Sequence, residues 1–403
     1  MATILCVWEL GTDLGHLSTL RLPVEIALAQ GHRVVMALKE GHNVSQMFGE
    51  WPIQYLQAPF RQPSSADISS PIPSFTHLLV RHCFDNREEL ADYLRAWRHI
   101  FDSVQPDIVL FEHSPTALIA AYGCRFKKIL VGNGFTAPPG GHRPGTPFLP
   151  FPTTTSRPEV QAGLLQDDVE VLSLINSARL QLQLTELPTL HAIYGQMDDC
   201  FLMTWPLLDA FGPRSGGTYL GIEPPQSQSP PPWPTGSGSR VFGYLHAFPS
   251  VVSFLKDLQY CRVRAVLFIR QLSPGVREAF EGNGLVFLDQ PVDLNRVADE
   301  AEWVINHGNH STAAHFASRG VPQLLIPLHQ EQLFLARNLG HQGAALIGYQ
   351  DQNNFLGLMN ALSKDTRYRR NAASVARQCD QNHTVCARTY IERSFLLLTD
   401  TSI

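Results

Sequence analysis

Short apolar runs alternate with amphipathic stretches along most of this chain, and polar or glycine-containing turns separate them. Thr3 to Trp8 is apolar and reads as a strand. The turn Gly11-Thr12-Asp13-Leu14-Gly15-His16 follows, then helical spacing from Leu17 to Gln30, a stop at Gly31, and a second strand from His32 to Leu38. This order predicts a βαβ unit. Asn86 to Val104 is strongly amphipathic, with Leu90, Tyr93, Leu94, Trp97, Ile100, Phe101 and Val104 at helical spacing. Pro106-Asp107 opens a strand, Ile108 to Phe111, that ends in Glu112-His113-Ser114. Gln161 to Leu184 reads as helix, and Cys200 to Thr204 and Thr218 to Gly221 as strands. Arg61 to Pro73 reads as an exposed loop. The Pro- and Gly-rich segment from Phe135 to Pro158 is expected to border a substrate pocket.

Glu223 to Ser239 is rich in Pro, Gly and Ser and marks a boundary, stiff at its start and flexible at its end. Beyond it, Arg240 to Leu245, Ala265 to Ile269 and Leu285 to Leu288 read as strands, and Pro249 to Leu258 and Leu294 to Ala301 as helices. Trp303-Val304-Ile305 then runs into Asn306-His307-Gly308-Asn309. A small-residue helix spans Ser311 to Ser318, Gly320-Val321-Pro322 stops it, and Leu324-Leu325-Ile326 is a further strand. The second half thus reads β-α-β-β-α-β-α-β, and an amphipathic helix, Cys386 to Leu398, closes the chain.

Composition narrows the function classes. The 403 residues suffice for two domains with full cores, and 44% hydrophobic with 17% charged residues is a globular composition. A net charge of −5 without a long basic run argues against nucleic-acid binding by phosphate neutralisation. The seven cysteines form no Cys-x-x-Cys pair, which argues against a zinc ribbon or a disulfide framework. The first residues have no basic leader before the apolar run, and no apolar stretch approaches a membrane span. A cytoplasmic monomer or homodimer is the expectation.

Candidate chemistry gathers at strand ends. His16 stands where the first helix begins, facing the crevice outside the sheet. Its plain alternative role is packing at the turn. Glu112 ends the strand expected beside it, and a carboxylate there holds an imidazole in one tautomer and raises its basicity. Asp13 is a competing partner for His16, and Glu112 could instead be solvated or cap the helix after Pro115. In the second half, the turn after Ile305 points a helix N-terminus out of the sheet edge, where free N–H groups favour a diphosphate. His329-Gln330-Glu331-Gln332 follows the next strand, with groups suited to hydroxyls. His307, His310, His315 and His329 raise a metal reading, but no adjacent carboxylate completes a known ligand spacing.

Taken together, these motifs resemble the GT-B glycosyltransferases, in particular the nucleotide-sugar-dependent family acting on macrolides, glycopeptides and plant natural products. The family's His-Gly-Gly-x-Gly-Thr is matched by His307-Gly308-Asn309-His310-Ser311-Thr312. Its Gly-Val-Pro, Pro and Asp-Gln are matched by Gly320-Val321-Pro322, Pro327 and Glu331-Gln332. Gly15-His16 and Pro106-Asp107-Ile108-Val109 match its N-terminal elements. The resemblance implies an α/β chain with two Rossmann-like doubly wound domains facing across a cleft. It implies an acceptor domain at 1–222, a linker at 223–239, a donor domain at 240–385, and a final helix at 386–403 crossing back to the first domain. His16 is then the general base and Glu112 its support. His307, Gly308, Asn309 and the N–H groups of Ser311 and Thr312 hold the donor diphosphate, and Glu331 and Gln332 bind sugar hydroxyls. Asn309 replaces a glycine. His315 stands where many relatives have a ribose-binding glutamate, which suits a deoxythymidine diphosphate sugar. His246, in Leu245-His246-Ala247, replaces a phosphate-contacting Ser or Thr.

The resulting expectation is an inverting, metal-independent glycosyltransferase that moves a sugar from a nucleoside diphosphate to a hydroxyl of a small, mostly apolar acceptor. The donor is a co-substrate, and no cofactor is expected. Two alternatives stand beside it: a catalytically silent homologue acting as an accessory subunit, and a nucleotide-sugar epimerase.

Overall fold

A computed structural model describes residues 1–12, 14–41, 44–61, 72–141, 144–223, 229–382 and 385–399. Asp13, most of the loop expected from Arg61 to Pro73, and the start of the linker lie outside these residues. The chain divides into two compact units, Met1–Thr204 with Phe211–Gly221 and Val385–Ile403, and Trp205–Ala210 with Ile222–Thr384.

The first unit runs β1 (Thr3–Trp8), α1 (Leu14–Ala29), β2 (Arg33–Leu38), α2 (Val44–Phe48), β3 (Ile53–Gln57), α3 (Phe75–Leu79), α4 (Arg87–Val104), β4 (Ile108–Glu112), α5 (Pro115–Ala121), β5 (Lys127–Gly132), α6 (Pro158–Gln181), α7 (Ala192–Gly195), β6 (Asp199–Leu202) and β7 (Thr218–Tyr219). Its seven-stranded sheet has the order β3-β2-β1-β4-β5-β6-β7, with parallel neighbours. The ends of α4 show how local chemistry sets a boundary. The Asn86 side chain accepts from the N–H groups of Glu88 and Glu89 at 2.9 and 3.0 Å, satisfying first-turn donors. At the other end Gln105 turns left-handed, with φ 50°, ahead of Pro106.

The second unit runs β8 (Arg240–His246), α8 (Val251–Tyr260), β9 (Arg264–Arg270), α9 (Pro274–Phe280), β10 (Leu285–Phe287), α10 (Leu294–Glu300), β11 (Trp303–Asn306), α11 (His310–Ser318), β12 (Gln323–Leu325), α12 (Gln330–His341), β13 (Ala345–Ile347), α13 (Leu356–Lys364) and α14 (Thr366–Asn382). Its six-stranded sheet is also parallel, in the order β10-β9-β8-β11-β12-β13. The chain closes with α15 (Ala387–Thr399). That helix belongs to the first unit: Ile391 and Phe395 enter its core, and the hydroxyls of Tyr390 and Ser394 donate to Asp199 at 3.0 and 2.6 Å.

Three departures from the sequence pattern have physical causes. α9 fills what reads as an unbroken strand-to-strand link. It is too short to show periodicity, and Ser273 caps it with Pro274 at its first position. β5 is hidden by Lys127 and Lys128. The Lys128 ammonium is brought back to the carbonyl of Cys124 at 2.8 Å, which lets a lysine occupy a buried strand position. Trp205–Ala210 joins the second unit although it follows a first-unit strand, because Trp205 and Leu208 pack with Ala313, Leu335 and Leu339. The linker's end is also held rather than free. The Trp233 indole donates to Glu300, and the Arg264 guanidinium to the Gly238 carbonyl at 2.6 Å.

Candidate functional site

In each sheet the strand order reverses direction at one place. β1 leads through α1 to β2 on one side, whereas β4, its other neighbour, leads through α5 to β5 on the opposite side. β8 and β11 form the corresponding pair in the second unit. Helices diverge at such points and leave a crevice beyond the carboxyl ends of the strands, where α/β proteins bind ligands.

At the first of these points Trp8 lies directly beside Glu112 in the parallel register. The glycine turn after β1 brings His16, in the first turn of α1, over both. His16 Nδ1 lies 2.8 Å from Glu112 Oε2, the His16 side chain is 13% exposed, and Glu112 is sealed at 1%. Donation from Nδ1–H to the carboxylate leaves Nε2 as the atom able to accept a proton. Two rings hold the imidazole plane: Trp8, at a centroid distance of 5.1 Å and 21°, and His113, at 5.9 Å and 5°. Gly11 also lies against the ring: φ there is +86° and a Cβ would stand 2.0 Å from His16 Nε2. Only glycine fits there, for conformation and for space. Lys39 donates to the Gly11 carbonyl at 2.7 Å, and burial lowers its ammonium pKa.

Glu112 is held in place by residues with no obvious signature. The helix that follows it, α5, is wholly buried, and its N-terminus is capped by Glu9, not by Glu112. The Glu9 carboxylate accepts from the N–H and hydroxyl of Thr116 at 2.7 and 2.6 Å, from Ala117 N–H at 3.2 Å and from the Trp97 indole at 3.0 Å. Burial nevertheless pushes Glu9 up to about 7, against the pull of these donors. A glutamate directly after an apolar strand was the available signal, but spacing alone does not say which helix it caps.

At the second point, the β11–α11 turn is built from side-chain amides. Buried Asn306 accepts from Gly308 N–H at 2.8 Å and donates to Gln323 at 2.9 Å, and Gln323 donates to the Ala313 carbonyl at 2.8 Å. Gln332 accepts from Leu328 N–H at 2.7 Å and donates to the Asn309 side chain. Gly308 has φ +87°, and a Cβ there would meet the Gln332 carbonyl at 2.9 Å. Asn309, by contrast, has φ −54° and needs no glycine. Gln323, a lone amide in an apolar strand, has no assigned role in the sequence reading but links this turn together.

The predicted donor residues fall into two groups. Gly308, Asn309, Ser311 and Thr312 line the turn and first turn of α11. Glu331 and Gln332 open α12 beside them, and burial pushes the nearby His310 imidazole down to about 4 against the opposing charge of Glu331. His307 and His315 behave differently from the expectation. His307 Nδ1 donates to the Ile326 carbonyl at 2.6 Å, so Nε2 accepts from His246 N–H at 2.7 Å. Both nitrogens are committed to main chain, and burial lowers the ring's pKa. The ring therefore ties the end of β8 to the segment after β12 and presents no nitrogen to a phosphate. His246 contributes its backbone N–H to that tie. His315 is 3% exposed and turned inward, with Nε2 donating to the Leu294 carbonyl at 3.2 Å, so it does not stand at the turn as a ribose contact. Asp13 lies outside the described residues. Among the described residues no group of three or more His, Cys, Asp or Glu is placed to hold a metal ion, and no helix is long and apolar enough to cross a membrane.

Comparison with solved structures places this architecture. The glycosyltransferase of kitacinnamycin is similar at a TM-score of 0.69 and 15% identity, over 98% of each chain. The spinosyn rhamnosyltransferase SpnG is similar at 0.65 and 17%, over the whole of both chains. A Streptomyces sp. SF2575 glycosyltransferase complexed with thymidine diphosphate is similar at 0.61 and 17%, over 98% of this chain and 100% of that one. No protein-family profile and no curated protein matches the sequence. The fold is therefore that of the GT-B glycosyltransferases, two Rossmann-like α/β domains in one chain.

Proposed function

We propose that the protein is an inverting glycosyltransferase that moves a sugar from a nucleoside diphosphate to a hydroxyl of a small apolar acceptor. The carrying observation is the His16–Glu112 pair, 2.8 Å apart at the switch point of the first sheet. His16 Nε2 takes the acceptor's hydroxyl proton as its oxygen bonds to the anomeric carbon. The bond from that carbon to the diphosphate oxygen breaks, and the nucleoside diphosphate leaves with the electron pair. One displacement inverts the anomeric centre. Glu112 stabilises the imidazolium and fixes its tautomer, the role a buried carboxylate plays beside a general base.

The diphosphate is taken by the N–H groups of Ser311 and Thr312 at the start of α11, with Glu331 and Gln332 reaching sugar hydroxyls. Helix N–H groups meet the negative charge that develops on the leaving group, so neither a metal ion nor a resident cofactor is required in this reading. The ring of His307 acts by fixing the turn rather than by touching phosphate. One of the similar structures is a glycosyltransferase complexed with thymidine diphosphate. We carry that donor class over to this chain, and the inward-turned His315 leaves the ribose without the glutamate partner many relatives have.

The test compares wild type with His16→Ala, using calorimetric titration with dTDP and release of dTDP from dTDP-glucose in the presence of phenols. The expected result is a turnover loss on the order of 10²–10⁴-fold with dTDP affinity unchanged. Full turnover by His16→Ala removes the base assignment. A second reading, a catalytically silent accessory protein, is favoured by the commitment of both His307 nitrogens to main chain. Absence of binding for every nucleoside diphosphate and its sugars, with stable association to another enzyme, selects that reading.

A further inference from the structure

His113 is the residue the reading above leaves unexplained. It follows Glu112 directly, its ring stacks nearly parallel on His16, and it touches Phe135 on another side, with centroids 6.2 Å apart. It is 7% exposed, and its Nδ1 is sealed from solvent without a hydrogen-bond partner among the described residues. Its backbone is left-handed, with φ +39°, and is pinned there by Leu10 N–H donating to its carbonyl at 3.1 Å. Burial, reinforced by the neighbouring His16, His82 and Lys39, holds the imidazole well below its ordinary pKa, so the ring is neutral at physiological pH.

Each of these features is unfavourable by itself. A buried polar atom without a partner loses its hydration without compensation, and a left-handed backbone is strained at a non-glycine residue. A flat spacer for His16 needs neither, since phenylalanine would supply the same stack without an unpaired nitrogen. The ring is not wholly enclosed, at 7% exposure, and a partner that arrives with the acceptor accounts for a histidine at this position.

We propose that His113 is an acceptor-binding residue: its neutral imidazole hydrogen-bonds a polar group next to the hydroxyl that reacts at His16, and so selects acceptors carrying two neighbouring oxygens. This rests on the glycosyltransferase reading. A neutral imidazole offers one N–H donor and one acceptor nitrogen, and a site built to hydrogen-bond a polar group discriminates strongly against molecules that lack it.

The test uses His113→Phe, which keeps the ring and removes both nitrogens, and His113→Asn, whose amide restores a polar atom near the Nδ1 position. Acceptor kinetics are measured with dTDP-glucose and paired phenols with and without an adjacent hydroxyl, alongside dTDP affinity and thermal midpoint. His113→Phe is expected to raise the acceptor KM for the dihydroxy member by about tenfold or more. The KM rises more than kcat falls, the preference between members is lost, and dTDP affinity and the midpoint are not lowered. His113→Asn recovers part of the loss. An unchanged KM and preference overturn the proposal. So does a midpoint lowered by several degrees, which would show that the nitrogens serve the fold. If wild type glycosylates no phenol, the glycosyltransferase reading fails separately, and His113 is judged by fluorescence titration with the dihydroxycoumarin esculetin. Equal binding to wild type and His113→Phe, or none to wild type, then overturns the proposal.

Discussion

Glu9 and Arg179 grip opposite ends of a single buried helix. Glu9 accepts from the first N–H groups of α5, and the Arg179 guanidinium, fully enclosed, donates to the carbonyls of Ile119 and Tyr122 at its far end. A carboxyl group at the N-terminus and a guanidinium at the C-terminus satisfy N–H and C=O groups that water cannot reach. α5 begins three residues after Glu112, so this clamp holds the segment on which the His16 partner is carried.

Glu9 has a pH signature. Its carboxyl is raised from 4.5 to about 7 in the folded protein. A raised folded pKa means that the stabilisation is complete below the unfolded value and is lost as pH rises through the folded one. Against Glu9→Gln, which does not titrate, wild type should lose up to about 3 kcal/mol between pH 4.5 and 7, as read by urea unfolding at a series of pH values. A flat difference across that range refutes the assignment. Glu9→Ala, which strands the Thr116, Ala117 and Trp97 donors, should destabilise by about 3 kcal/mol or more at any pH.

Gly11→Ala tests the close approach at His16. The new methyl collides with Nε2, and the backbone at φ +86° resists any side chain. The imidazole must swing away from Glu112, so kcat should fall by more than about tenfold, with dTDP affinity unchanged. Retained activity would show that the ring does not need this position.

His307→Ala separates a tie from a phosphate contact. If the ring joins main-chain groups as its hydrogen bonds indicate, its removal should lower stability by about 2 kcal/mol and weaken dTDP binding through the loosened turn. A large loss of dTDP affinity with unchanged unfolding would instead place the ring on the phosphate.

The histidines around that turn predict acid sensitivity. Burial lowers the pKa of His307 and His315, and pushes half-buried His310 down to about 4. A depressed folded pKa gives stability that is present above the ordinary histidine value of 6.5 and is lost as pH falls towards the folded one. Hydrogen exchange of the Trp303–Leu325 segment should therefore accelerate between pH 6.5 and 4, after correction for intrinsic rates. A triple His307→Gln, His310→Gln, His315→Gln variant should lose that acceleration.

Local sequence order determined much of this protein. Apolar runs ending in Trp8, Glu112 and Asn306, each followed by a turn and a helix, specify parallel βαβ units, because strand and helix periods are carried by neighbouring residues. Gly15-His16 and the stretch from His307 to Thr312 could be placed at strand ends for the same reason. The tertiary structure alone decided what those residues touch. It assigned Glu9 rather than Glu112 to the cap of α5, turned His315 inward, used both nitrogens of His307 on main chain, and left His113 Nδ1 without a partner among the described residues. Such choices depend on contacts between residues far apart in the chain, as Glu9 and Thr116 are, and on burial, which sets both hydrogen-bond demand and pKa. Neither is written in residue spacing.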